Sequence, residues 1–387
     1  MTDGPMTTIL HVITGLHVGG AEVMLYNLLS SMDRNRFAPE VISLLEPGPV
    51  GRKIEALGIR VRSLGMTRGM PRPSHVLRLA RWLKADSPDL VQTWMYHANL
   101  IGGLAAKCAG NVPVIWGIHH STLDSTAKAR TIGIAKVSAL LSRWLPARIV
   151  YCSEASRAAH SQLGYHSDKA VVIPNGFDLT TFRPDPLART SLCRELALPD
   201  HTPLVGLVAR FHPLKDHRTF LQAAAYLHAD LPDVRFVLCG VGVDWQNPEL
   251  SQWVRQAGLE GACYLLGPRE DMPRVTAALD VASSSSIGEA FPLVIGEAMS
   301  CGVPCIVTDV GDSAAIVGDT GIVVPPRDAH ALAEGWRHML ELPAEQRAHL
   351  GMLARQRITE RYSLAHVVSE YECLYQAVLA AKGIQHA

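Results

Sequence analysis

Short apolar strands and helical segments alternate along this chain of 387 residues, and the alternation runs through twice. Residues 7–14, TTILHVIT, form the first candidate strand. A glycine-bearing turn over residues 15–20 and a helical pattern, AEVMLYNLLSSM, follow it. FAPEVISLL, IRVRSL, PDLVQTW, VPVIWGI, RIVY and KAVVIP continue the series, with helical patterns between most of them. A second set begins at PLVGLVAR and runs through VRFVLCG, ACYLLG, VASSSS, VPCIVTD and GIVVPP. Strands separated by helices at this spacing belong to parallel sheets with helices on both faces. The expectation is an α/β chain of two doubly wound domains facing each other across a cleft. The Pro- and Asp-containing connection PDPLARTSLCRELALPDHT puts the boundary near 185, dividing residues 1–185 from 186–365.

Within the second set, residues 283–302, SSSSIGEAFPLVIGEAMSCG, carry two glutamates, Glu289 and Glu297, in an otherwise uncharged run. Pro292 suits a first helical position, because the N–H it lacks is one that a helix start leaves unpaired. Gly302 falls where a left-handed cap would end that helix. Glu289 is thus expected in the loop ahead of the helix and Glu297 inside it. The N–H groups of Leu293 and Val294 would point out of a helix end that carries partial positive charge. These features together suit an anionic, hydroxyl-rich ligand.

In the first set, Gly19-Gly20 lets backbone amides approach a phosphate or sugar at a helix start. The spacing is not G-x-G-x-x-G, so no dinucleotide is inferred. His119 and His120 follow the strand VPVIWGI, at the strand end where such sheets bind ligands, and either could face a substrate. Residues 1–185 hold 20 Lys and Arg against 13 Asp and Glu, a surplus of +7 that the rest of the chain cancels. Much of it gathers in a basic helical pattern over residues 127–148, where Lys128, Arg130, Lys136, Arg143 and Arg148 stand among Ile, Leu and Trp. Such a segment suits an ordinary solvated face or an anionic bilayer surface. No run reaches the roughly 18 apolar residues of a membrane span, so any membrane contact would be peripheral. Eight cysteines show neither C-x-x-C nor zinc spacing, and the N-terminus has no leader pattern, so reduced, cytoplasmic thiols are expected.

Five motifs in order then carry a family resemblance: PNGFD, GLVARFHPLKD, LGPRED, SSSSIGEAFPLVIGEAMSCGVPCIVTDVG and GIVVPPRD. Over nearly its whole length the chain resembles the retaining glycosyltransferases of family 4, with the two-domain GT-B fold. That resemblance implies a last helix, 366–387, that returns to the first domain. It implies that Arg210 and Lys215 hold the diphosphate of a nucleotide-sugar, a UDP- or GDP-sugar, where fixed cations stabilise the departing charge. Glu297 would accept from the ribose hydroxyls. Glu289 would face the sugar and its oxocarbenium-like centre. Phe291, Pro292, Leu293 and Val294 would surround the donor at the helix start, with Arg269 reaching the nucleotide. His119 matches a histidine near the sugar, and Gly19 and Gly20 match a glycine pair near the donor phosphates or the acceptor. The chain departs from the family pattern at Asp312-Ser313-Ala314, where many members carry a glutamate, and at Pro292, where they carry glycine.

The resemblance implies a metal-independent hexosyltransferase with no cofactor. No Asp-x-Asp pair stands in a metal-binding context. The transferred group would be a hexose or N-acetylhexosamine, the acceptor a carbohydrate or a polyprenyl-linked one. Surface polysaccharide or glycolipid synthesis on the inner face of a plasma membrane fits, and nucleic acid does not. A nucleotide-sugar 2-epimerase on the same fold, or a silent nucleotide-sugar-binding subunit, are the competing readings. The second would predict loss of Glu289, Arg210 or Lys215, and all three are present.

Overall fold

A computed structural model describes residues 6–17, 19–67, 72–120 and 129–383. The chain divides into two compact units, one up to Gly176 together with Leu364 onward, the other Phe177–Ser363.

The first unit holds a seven-stranded parallel sheet: β1 (Thr7–Ile13), β2 (Phe37–Ser43), β3 (Val61–Ser63), β4 (Leu90–Trp94), β5 (Val114–Ile118), β6 (Arg148–Tyr151) and β7 (Ala170–Val172). Their order across the sheet is β3-β2-β1-β4-β5-β6-β7. Both faces are covered, so successive residues of one strand enter different cores. Ile9 and Ile13 pack with Met24, Leu28 and Trp94, while Leu10 and Val12 pack with Leu79, Ile101 and Trp116. This is why these strands are apolar throughout rather than alternating. The last helix, Leu364–Ala380, belongs to this unit and drives Val367, Tyr371 and Tyr375 into the first of those cores. Glu372 fastens it, accepting from the Asp33 N–H (2.9 Å) and pairing with Arg36 (3.1 Å).

The second unit holds a six-stranded parallel sheet: β8 (Leu204–Val208), β9 (Arg235–Cys239), β10 (Cys263–Leu265), β11 (Val281–Ser284), β12 (Cys305–Thr308) and β13 (Ile322–Val324), in the order β10-β9-β8-β11-β12-β13. Its core gathers Val205, Phe220, Phe236, Val281, Ile306 and Trp336. The chain winds outward from β8 on one side and from β11 on the other, so β8 and β11 flank its topological switch point.

Three features differ from the sequence expectations. The units divide at Gly176 rather than near 185, because Phe177 stacks on Phe291 and the Phe182 carbonyl takes Arg355, all within the second unit. The helix expected over 127–148 spans Ala129–Leu141, with Ala127 and Lys128 outside the described residues. Lys169 ends it, donating to the carbonyls of Ser142, Arg143 and Pro146. Pro292 is the residue before the helix Leu293–Ser300 rather than its first member, while Gly302 closes that helix with φ +75° as expected.

A stability prediction follows from the helix Ala344–Arg361. Its Gly351 lies so close to Gly302 that a Cβ there would sit 1.9 Å from the Gly302 carbonyl oxygen. That obstacle is backbone and cannot swing aside. Gly351→Ala should destabilise the second unit by about 3 kcal/mol, the upper end of ordinary overpacking, measured by urea unfolding.

Candidate functional site

In open parallel sheets, ligands bind beyond the carboxyl ends of the strands, at the switch point. Arg210 stands two residues past β8, exposed to solvent, and Lys215 ends the short turn Pro213–Lys215 after it. Glu289 follows β11, which pairs with β8. The two predicted motifs therefore emerge side by side.

Side-chain hydroxyls sew them together. Ser285 Oγ donates to the Lys215 carbonyl (2.9 Å), and the Ile287 N–H donates to the Leu214 carbonyl (2.9 Å). Lys215 Nζ pairs with Glu289 Oε1, and Ser286 Oγ donates to the same oxygen at 2.7 Å. Thr308 Oγ1, at the end of β12, donates to the Ser286 carbonyl (2.6 Å). Gly311 closes the floor: with φ +57°, a Cβ there would lie 2.4 Å from the Glu289 carbonyl oxygen. Ser285, Ser286, Thr308 and Gly311 were not among the sequence-derived site residues. The only hint was four consecutive serines where an apolar strand should end.

Glu297 sits one turn into the helix Leu293–Ser300. Its carboxyl has no hydrogen-bond partner among the described residues, and burial pushes it up to about 7. Glu297 is half-buried and its carboxylate is uncommitted, which suits hydroxyl donors from a ligand. Leu293 and Val294 open the same helix and stay half-buried.

Two expected donor contacts are otherwise engaged. Arg269 is bound by Asp271 (2.8 and 2.9 Å) and by Glu195 (2.6 and 3.3 Å). The Arg269 guanidinium in turn holds the Asp271 carboxyl well below the usual range. Its fork is held by that network, which a nucleotide would have to displace. Phe291 is buried, stacked on Phe177 at 6.0 Å and edge-on to Tyr362 at 5.7 Å. Its ring packs the loop.

In the first unit, Gly19 precedes the helix Gly20–Ser31 at the carboxyl end of β1. The Glu22 carboxylate folds back over it, so close that a Cβ on Gly19 would lie 2.5 Å from Oε2. Burial raises the Glu22 pKa. At this helix start, expected to meet a phosphate or sugar, the chain's own acid stands beside Gly19 while Gly20 stays exposed. Val18, in the same turn, lies outside the described residues.

His119 follows β5 and stacks on Trp94 with ring centroids 5.1 Å apart. Both ring nitrogens are buried, the Asn175 side chain lies beside the ring, and burial pushes the imidazole down to about 3. It is neutral, with one donor and one acceptor to give to a hydroxyl. His120 is exposed, stacks on Tyr96, and accepts from Ser156 Oγ at its carbonyl (2.6 Å).

Comparison with known proteins bears on what such a site does. A family model described as group 1 glycosyl transferases matches residues 202–341, and one described as Glycosyltransferase Family 4 matches residues 18–181. EpsF of Bacillus subtilis, provisionally named a glycosyltransferase, is 28% identical over 317 residues, covering 78% of this chain and 79% of EpsF. The Escherichia coli UDP-Gal:alpha-D-GlcNAc-diphosphoundecaprenol alpha-1,3-galactosyltransferase is 29% identical over 252 residues, 62% of this chain and 63% of that enzyme. Among solved structures, HepE of Anabaena in complex with UDP superposes with a TM-score of 0.84 at 24% identity, covering 96% of this chain and 100% of HepE. Sucrose-phosphate synthase of Thermosynechococcus elongatus gives 0.79 at 21% identity, covering 97% and 100%. At these identities the two structures speak to the fold.

Proposed function

The chain belongs to the group 1 glycosyltransferases of the GT-B fold, and on that premise we propose that it moves a hexose or N-acetylhexosamine from a UDP-sugar to an acceptor hydroxyl with retained anomeric configuration. The observation that carries this reading is the Lys215–Glu289 pair at the switch point of the second sheet, with Arg210 exposed two residues past β8. Arg210 and Lys215 take the diphosphate, and Glu297 takes the ribose. The bond from C1 to the diphosphate oxygen breaks, and a bond from C1 to the acceptor oxygen forms on the same face. The acceptor's proton leaves on the departing phosphate oxygen. Glu289 stabilises the positive charge that C1 develops between the two events. Two protein cations at the diphosphate make a divalent ion unnecessary. UDP fits as the nucleotide because the similar Escherichia coli enzyme is named for a UDP-Gal donor. The test is a panel of UDP-, GDP- and ADP-sugars in EDTA, reading release of nucleoside diphosphate. Release from UDP-sugars alone supports the reading. Activity that returns only with a divalent metal removes metal independence, and release from none contradicts the donor site.

Glu297 gives this reading a pH signature. Its ionised form can accept from two hydroxyls, whereas protonation removes acceptor capacity. With a pKa near 7, its contribution is present above that pH and lost as pH falls below it. UDP affinity measured by calorimetry should rise as pH passes upward through about 7. Glu297→Gln should weaken binding at high pH and flatten that rise. An identical pH dependence in the variant would remove the ribose assignment.

The acceptor is proposed to be polyprenyl-diphosphate-linked, presented at an anionic membrane surface for polysaccharide or glycolipid assembly. The helix Ala129–Leu141 is apolar on both sides. Ile134, Ala135 and Ala139 enter the core, while Val137 and Leu140 stay exposed, Leu140 by 72%, with Trp144 beyond the helix exposed by 68%. Arg130, Lys136, Arg143 and Arg148 are exposed around them, and no acidic residue occurs from 125 to 153. Exposed apolar groups ringed by cations suit an anionic bilayer interface. No helix among the described residues is long and apolar enough to cross a membrane. Leu140→Ala with Trp144→Ala should weaken sedimentation with phosphatidylglycerol vesicles at least about tenfold, since each apolar side chain buried contributes roughly 1.5–3 kcal/mol. Equal binding to neutral phosphatidylcholine vesicles would count against the acceptor assignment.

A further inference from the structure

We infer that Ser286 is a positioning residue for Glu289, the one that keeps the carboxylate aimed once the donor diphosphate draws Lys215 away. The inference rests on the donor site proposed above. Lys215 Nζ and Ser286 Oγ, the latter at 2.7 Å, both hold Glu289 Oε1. They differ in what a donor does to them. Lys215 is a flexible cation that retains some exposure, and a diphosphate with its larger negative charge competes for it directly. Ser286 cannot follow. Its side chain is buried, and its carbonyl is fixed by Thr308 Oγ1 (2.6 Å). Its neighbours on either side are fastened too, Ser285 to the Lys215 carbonyl and Ile287 to the Leu214 carbonyl, both at 2.9 Å.

The backbone joining the two motifs is thus fixed by hydrogen bonds that do not pass through the Lys215–Glu289 pair. The ion pair can open without the loop collapsing. Lys215 and Glu289 neutralise each other in the pair the structure shows. With donor bound, Lys215 turns to the diphosphate, and Glu289 keeps Ser286 as a donor on the oxygen that Lys215 released. A hydroxyl of one methylene's reach, three residues before Glu289, holds the carboxylate in one orientation as positive charge grows at the sugar.

The test compares Ser286→Ala, Ser286→Thr and Glu289→Gln in full-length protein, each measured for kcat with the best UDP-sugar and for UDP affinity by calorimetry. Removing a hydrogen bond to a charged group predicts a kcat about tenfold lower or more in Ser286→Ala, with UDP affinity unchanged. Ser286→Thr, which restores the hydroxyl, should recover most of the loss. Retained UDP binding also reports that the variant is folded. Unchanged kcat in Ser286→Ala, a parallel loss of UDP affinity, or no recovery in Ser286→Thr would overturn the inference. Full activity in Glu289→Gln would instead overturn the donor-site reading beneath it, so the two failures are distinct.

Discussion

Glu289→Gln should lower kcat by about 10²–10³-fold while leaving UDP binding within a few-fold of the parent, the loss typical of removing one preorganised charge-stabilising group. The side chain keeps its shape and can still accept from Ser286, so the site should remain assembled. On the proposed assignment, what disappears is the negative charge that faces C1. Because that charge matters only as C1 becomes electron-poor, the loss belongs in kcat rather than in donor binding. Stability should change little, since the Lys215–Glu289 pair retains some solvent exposure and such pairs contribute roughly 0–1 kcal/mol. Losing Glu289 also frees Lys215 for the diphosphate, which pushes UDP affinity up rather than down. A variant with full kcat would remove Glu289 from the chemistry.

Arg210→Ala and Lys215→Ala should have the opposite distribution, acting on donor binding first. Each removes a charged hydrogen-bond donor to the diphosphate, and such bonds contribute about 1.5–3 kcal/mol. That corresponds to UDP binding roughly 10- to 150-fold weaker in each variant. Arg210 is exposed, and no hydrogen bond holds its guanidinium among the described residues, so its whole fork is available to a ligand. Lys215 must first leave Glu289, which should make its loss the smaller of the two. The double variant should lose less than the sum, because both cations act on one ligand. Arg210→Lys should recover charge but not the bidentate geometry. UDP affinity unchanged in both single variants would dismantle the donor site.

The fold was legible because its cause is local. Apolar runs of strand length punctuated by glycine, proline and helical patterns specify buried parallel strands without knowledge of any tertiary contact. The same punctuation placed Glu289 before a helix and Glu297 within it, with Gly302 as the left-handed close. What the sequence does not show mostly involves partners distant in the chain. Arg269 looked like a cation awaiting a ligand, but Glu195 lies 74 residues upstream and takes half its fork. Phe291 looked like part of a donor-binding helix start, but Phe177 and Tyr362 claim its ring. The basic helix was drawn past Leu141 because nothing local shows that Lys169 will bind the carbonyls beyond it. Ser286 and Thr308 were invisible as site residues because a serine or threonine in a strand end has no chemistry until its partner is known. Glu22 was missed for another reason. Its glycines were read as an opening for a ligand, whereas the acid two residues beyond the pair stands beside Gly19.

The most direct measurement is a crystal structure of the protein with a non-transferable UDP-sugar bound in the presence of EDTA. The account predicts the diphosphate on Arg210 and Lys215, the ribose on Glu297, and the Lys215–Glu289 pair opened with Ser286 still on the carboxylate. A nucleotide bound elsewhere, with that ion pair intact and Glu297 unoccupied, would contradict it.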